Sequence, residues 1–318
     1  MWIRLLAVLM ACAWMAGNVA GQYPTKPIRI VVPFAPGGGG DLSTRLVGQP
    51  LSQALGQPVI VDTKPGADGQ IAALETMRAA PDGYTLFMAT AGAMSAVPAL
   101  RKIPPYDPVA DFTPISSFFT ASFFVFVHSS VPASSLGELI EYARTNPGKL
   151  SYGTGNTFSI VATAQLLQQT RTNMVHIPYK GEAPAVTDFT TGRIQVMVAT
   201  PTNTFPHVKE GKLRVLATLL LQRSSMLPDV PTIAEAGFRA PRVAPWAGFV
   251  APARLPKDIT ERLSREINLI LRRDDVREQL AKFGFAGHGS SPDELRDHVK
   301  EQLVAWREGI REAGIPQE

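Results

Sequence analysis

The stretch from Ile28 to Leu55 constrains the fold more than any other part of the chain. Ile28-Arg29-Ile30-Val31-Val32-Pro33-Phe34 is a short apolar run rich in β-branched residues, which reads as a buried strand. Ala35 to Gly40 is a glycine-rich turn. Leu42, Leu46, Val47, Leu51 and Leu55 then share one helical face, with Asp41 in the position of an N-cap. Pro50 falls inside that pattern, so a kink or an early break is expected there. Val59-Ile60-Val61 is a second strand, Lys64 to Gly69 a loop, and Ile71 to Ala80 a second helix. Pro81-Asp82-Gly83 turns into a third strand, Thr85 to Thr90. A βαβαβ opening requires an α/β fold with a mainly parallel sheet and right-handed crossovers.

The same grammar returns after Pro98–Pro114, a proline-rich stretch expected to be irregular. Strands are expected near 115–119 and 123–128, and a helix starts at Ser135, where Ser135 and Glu138 have capping-box spacing. Further strands fall near 150–152, 174–177, 194–199, 214–219 and 249–250, with helices at 159–169 and 183–190. Three helices close the chain. Ile259, Leu263, Ile267 and Ile270 stripe the first, the second spans 274–283, and Leu295, Val299, Leu303, Trp306 and Ile310 line the last.

Between strands and helices lie four loops of small residues. They are Pro36-Gly37-Gly38-Gly39-Gly40-Asp41, Thr90-Ala91-Gly92-Ala93, Gly153-Thr154-Gly155-Asn156-Thr157, and Ala199-Thr200 with Pro201 and Thr202. Glycine lets backbone approach a ligand, and a helix N-terminus offers unpaired N–H groups and partial positive charge. In an open α/β sheet, ligands bind outside the carboxyl ends of the strands. Two such loops in each half describe an anion-binding cleft between two lobes.

Other chemistries fit less well. A P-loop needs Gly-Lys-Ser/Thr, and this loop ends in Gly40-Asp41-Leu42. A dinucleotide fingerprint needs a sixth-position glycine where Leu42 stands, although Asp62 lies about where a ribose-binding acid would. No G-x-S-x-G elbow is present. The five histidines share no metal-ligand spacing, and no constellation of acids and bases suggests catalysis, so neither an enzyme nor a cofactor is expected. The 31 Lys and Arg against 27 Asp and Glu are scattered, which argues against nucleic acid as a partner. Arg4, the apolar run Leu5–Met15 and small residues up to Gly21 have the anatomy of a secretory signal, so residues 1–21 are expected to be removed on export to the periplasm. Leu9-Met10-Ala11-Cys12 partly resembles a lipidation box. Removing the leader also removes Cys12, the only cysteine.

Several motifs carry a resemblance. Val32-Pro33-Phe34-Ala35-Pro36-Gly37-Gly38, Ala80-Pro81-Asp82-Gly83-Tyr84-Thr85-Leu86 and Pro105-Tyr106-Asp107-Pro108 are three. His176-Ile177-Pro178-Tyr179-Lys180-Gly181, Leu227-Pro228-Asp229-Val230-Pro231-Thr232 and Ala234-Glu235-Ala236-Gly237 are the others. From Tyr23 to Ile315 the chain resembles the extracytoplasmic solute receptors of tripartite tricarboxylate transporters, the Bug family. The resemblance implies a two-lobed, periplasmic-binding-protein-like fold of the type II, Venus flytrap kind. Lobe 1 would take 22–122 and 233–318, and lobe 2 would take 123–232. A monomer would hold a small organic carboxylate between the lobes and deliver it to integral membrane transporter subunits. Ligand presentation to a sensor system and an enzyme on the same fold are the alternatives. Phe158, Tyr179 and Trp246 join the loop residues as expected ligand contacts. Val198-Ala199-Thr200 stand where relatives often carry Phe-Asp-Asn, which removes an acid. On that ground amino acids are expected to bind poorly, and partly apolar or aromatic carboxylates better, against Phe158, Phe205 and Trp246.

Overall fold

Strand β1 (Ile28–Val32) is the founding element of the first sheet, with Ile28, Ile30, Val31 and Val32 fully buried. The computed structural model describes residues 23–179, 181–224 and 226–317, so the leader expected at 1–21 lies outside the described residues. After β1 come α1 (Gly39–Leu55), β2 (Val59–Thr63), α2 (Gln70–Met77) and β3 (Thr85–Thr90). β1 pairs in parallel with both β2 and β3, as the opening pattern requires. Two expectations for this region are corrected. Helix α1 runs unbroken through Pro50, because Val47, Leu51 and Leu55 are buried on either side of it and hold the helix against the sheet. Of the stretch 98–114 expected to be irregular, Pro98 to Leu100 is helical and Phe112 to Pro114 is already strand. A π-helical turn at Gly92–Ala96 runs into the short α3 (Val97–Leu100). Pro98 follows that turn without a break, so its missing N–H leaves a carbonyl free, and Ala93 O accepts the Tyr106 hydroxyl at 2.6 Å instead.

Strand β4 (Phe112–Ala121) ends the first passage through this sheet. Only Ser122 and Phe123 separate it from β5 (Phe124–His128), which opens the second sheet. That sheet is completed by β6 (Ser151–Thr154), β7 (Val175–Pro178), β8 (Val196–Ala199) and β9 (Leu213–Thr218). Its helices are α4 (Leu136–Thr145), α5 (Thr157–Thr170), α6 (Glu182–Thr190) and α7 (Pro201–Lys209). The chain then returns as β10 (Trp246–Pro252), α8 (Lys257–Leu271), α9 (Asp274–Lys282), β11 (Phe285–Gly287) and α10 (Pro292–Glu312).

The strand orders are β11-β4-β10-β3-β1-β2 and β7-β6-β8-β5-β9. Both sheets are mixed. β10 runs against β3 and β4, β11 against β4, and β5 against β8 and β9, while the remaining strands of each sheet share one direction. The reversal follows from the two passages between sheets, since a strand entering directly from the other sheet arrives pointing the opposite way. The passages lie side by side. Ala121 N–H donates to Pro245 O at 2.7 Å, and Leu219 N–H to Phe123 O at 2.9 Å.

Apolar packing is continuous from the first sheet to the face of β5 that carries Val125 and Val127. The opposite face, with Phe124 and Phe126, packs on Ala185, Val186 and Phe189. The last helix bridges the two units. An added Cβ on its Gly309 would lie 3.3 Å from Val161 of α5 and 3.4 Å from Val243 of the return passage.

Candidate functional site

On the side of the first sheet, α1 is capped by Gly38 in extended conformation, and Asp41 is not the cap. Three glycines let the chain enter the helix early, which leaves Asp41 buried in the first turn. From there its Oδ2 accepts the Gly37 N–H at 2.8 Å, and Oδ1 pairs with Arg45 Nε at 2.9 Å. Acid in a first turn is favoured by the helix dipole, and reaching back to an N–H beyond the cap resembles a capping box. Leu42 N–H is the first to bond within the helix, to Gly38 O at 3.0 Å. The amides of Gly39, Gly40 and Asp41 precede it, so they are the donors a helix start leaves for an anion. Aromatic rings close in on the same turn. An added Cβ would lie 2.1 Å from the Phe34 ring at Gly40 and 3.1 Å from the Phe285 ring at Gly39. Phe285 in turn stacks on Phe119, with centroids 4.0 Å apart and planes 2° from parallel.

A neighbouring loop contributes an acid that the sequence reading missed. Ala67 and Asp68 both adopt positive φ, +46° and +52°. The turn packs under the loop after β3, where an added Cβ on Gly92 would lie 3.0 Å from Asp68 O. Gly69 lies equally close to Ala93 and Pro33. So the loops at 33–41, 66–69 and 90–93 form one surface. The signal available in the sequence was Pro65-Gly66-Ala67-Asp68-Gly69, a fifth small-residue loop between strand and helix.

On the side of the second sheet, Asn156 caps α5 by accepting Ser159 N–H at 2.8 Å. Its neighbour Gly155 lies so close to the next loop that an added Cβ would be 2.4 Å from Glu182 N and 2.5 Å from Gly181 C. Thr154 is buried, and its Oγ1 is 2.8 Å from His176 Nε2. Tyr179 donates its N–H to Thr154 O at 2.9 Å and its hydroxyl proton to Asp188 Oδ2 at 2.9 Å. Glu182, also missed, opens α6. Its Oε1 accepts the N–H of Thr200 at 2.9 Å and the hydroxyl of Thr200 at 2.5 Å. Desolvation pushes the Glu182 carboxyl up to about 7, against the opposing pull of those two bonds. The loss of an acid at Ala199 therefore does not leave this wall without one.

Two contacts close the arrangement across the lobes. Thr157 Oγ1 donates to Asp68 Oδ2. On the far side Thr202 Oγ1 donates to Phe283 O at 3.3 Å, and Pro201 packs on Gly284, whose φ is +80°. A ring of contacts results: Gly39, Phe285, Gly284, Pro201, Thr200, Glu182, Gly155, Thr157, Asp68, Gly92 and back through Pro33. All four loops singled out in the sequence contribute to it.

Three of the expected contact residues have other neighbours. Phe158 is buried against Phe123 of the first passage, with centroids 4.5 Å apart. Trp246 is buried and meets His298 edge-on at 5.1 Å. It lines a separate depression of about 320 Å³ with Ser117, His288 and Glu294. Phe205 packs on Phe124 at 5.6 Å. Thr154, which pairs with His176, is only 1% exposed.

Comparison with known proteins identifies the lineage. The family model for TctC, the tripartite tricarboxylate transporter family receptor, matches residues 43–315. This chain belongs to that family. BugT of Bordetella pertussis is 34% identical over 319 residues, which cover 98% of either chain. A solved periplasmic transporter is 38% identical with a TM-score of 0.83, covering 93% of this chain and 100% of its own. R. palustris Rpa4515 with adipate is 31% identical with a TM-score of 0.83, covering 92% of this chain and 99% of its own. TctC proteins are solute receptors, and the two-sheet architecture described above is the periplasmic-binding-protein fold.

Proposed function

We propose that this TctC-family chain captures a small organic carboxylate within the ring and delivers it to a tripartite tricarboxylate-type membrane transporter. The lobes would be residues 22–122 with 233–318, and 123–232. The protein would act as a monomer in the periplasm after loss of residues 1–21. One observation carries this reading. The unbonded amides at the start of α1 and the capped start of α5 belong to opposite lobes, and a single ring of contacts joins them. An anion held by both would have to enter while the lobes are apart. The adipate recorded with Rpa4515 supports a small carboxylate as the ligand class.

A thermal-shift screen of mono-, di- and tricarboxylates on residues 22–318 tests the proposal. A true ligand at 100 times its Kd adds about 2.7 kcal/mol of stability. That rise is expected for at least one carboxylate and for no neutral amide analogue of the same acid. A screen in which no carboxylate shifts the melt rejects the reading.

A further inference from the structure

We propose that Glu182 is a specificity-determining residue that selects, among small carboxylates, those that also carry an ammonium group. The inference rests on the carboxylate-receptor reading and adds to it. In a site built for an anion, an acid is out of place unless something on the ligand answers it. Glu182 stands on the ring itself, between Gly155 and Thr200. Its Oε1 takes both donors that Thr200 offers, so the start of α7 is already filled by a carboxylate of the protein. That leaves the amides at the starts of α1, on the opposite lobe, and α5 as the place for the ligand's own carboxylate.

The second oxygen, Oε2, has no hydrogen-bond partner among the described residues, and no salt bridge to a described cation reaches Glu182. Of the residues in the ring-forming segments, Lys180 lies outside the described residues. Asp41 is answered by Arg45, whereas Asp68 is answered by a hydroxyl alone. The ring thus carries one such acid from each lobe, Asp68 beside the start of α1 and Glu182 across from it. Desolvation holds the Glu182 carboxyl near 7, so its charged form is short of a partner at neutral pH. An ammonium group supplies three donors and a positive charge. A ligand spanning from the α1 amides to Oε2 would satisfy both ends, and its uncharged counterpart would satisfy one.

The test is calorimetric titration at pH 8 with matched acids that differ by the ammonium group alone. The pairs are L-aspartate and succinate, L-glutamate and glutarate, and L-phenylalanine and 3-phenylpropionate. At least one ammonium-bearing acid is expected to bind tenfold or more tightly than its partner. In Glu182→Gln, which keeps the shape and the acceptor for Thr200, that advantage is expected to fall to within about twofold. Equal or tighter binding of the partner acid in every pair overturns the inference without any variant being made. So does an advantage that survives in Glu182→Gln. Binding of other carboxylates with none of the three amino acids overturns it while leaving the receptor reading intact, and binding of no carboxylate at all removes both.

Discussion

Glycine at 39 and 40 answers to two neighbours at once. Phe285 and Phe34 press on these positions from one side, while their amides are the free donors of α1. Gly38 is different, being exposed and in a conformation open to any residue. Gly38→Val, whose Cβ would lie 3.3 Å from Ala35 O, is expected to cost no more than about 1 kcal/mol. It should still abolish carboxylate binding, because the branched side chain covers the approach to the amides. Gly39→Val is expected to lose binding as well, at a further cost in stability as the Phe285 ring is displaced. Circular-dichroism melts and titration together separate the two effects, and normal binding by both variants would reduce the loop to a plain turn. Glu182 makes a second residue-level prediction. Its carboxyl is raised from 4.5 to about 7 by burial. Its contribution to stability is thus fully present below the unfolded value and is lost as pH rises through 7. The parent should lose up to about 3 kcal/mol relative to Glu182→Gln between pH 4.5 and 8, and parallel melting curves across that range would argue against a desolvated carboxyl. Asp68 was signalled in the sequence only by its small-residue loop, and Glu182 by nothing of its own. Both are ordinary acids beside a glycine, and only the approach of Thr157 and Thr200, distant in the chain, gives them a role.

At the scale of elements, alternation of strand and helix was legible because burial of both sheet faces imposes long apolar runs on the strands and a stripe on the helices. Ser135 caps α4 by accepting Glu138 N–H, but the Glu138 carboxylate reaches back to Ser134 rather than to Ser135, so the full capping box forms only at Ser291, bonded with Glu294 in both directions. What local rules missed has a tertiary cause. β11 has three residues and exists because Phe285 pairs with Ala121 and Gly287 with Phe119. The π-helical turn at Gly92–Ala96 packs against α10 and α5 rather than expressing a periodicity of its own. Asp41 was misassigned because an acid at the edge of a helical stripe fits the cap and the first turn equally well until the glycines before it are placed. The cap that adjoins the cross-lobe contact of Thr157 is Asn156. Asn156→Ala is expected to lower stability by about 1 kcal/mol through loss of its bond to Ser159. Asn156→Asp should restore most of that while weakening carboxylate binding by charge repulsion. Equal binding by parent and the Asp variant would place the ligand away from the start of α5.

For the whole molecule, the two side-by-side passages and the ring beside them, where Ser122 N–H donates to Gly284 O at 2.8 Å, make motion of one lobe against the other the natural way in for a ligand. Small-angle scattering is expected to show compaction on saturation with a carboxylate found in the screen, and an unchanged radius of gyration would count against closure. Paired Asp68→Cys and Thr157→Cys substitutions should trap the closed form on oxidation, so that binding returns only after reduction. Free ligand exchange in the oxidised protein would show that entry does not need the ring to open.

The return of the chain to its first sheet also dictates an order of assembly. β10 lies between β3 and β4, so those two strands keep an open edge until residues 246–252 are available. β5 to β9, by contrast, form a contiguous sheet whose partners lie within about a hundred residues of one another. Loop-closure entropy favours the nearer pairings. In pulse-labelled hydrogen exchange during refolding, the amides of β5 and β8 should become protected before those of β4 and β10, whose partners are farther apart in the chain. The first lobe to begin is then the last to finish, and its unpaired edges are the stretch of chain that a folding catalyst or a holdase would have most reason to cover.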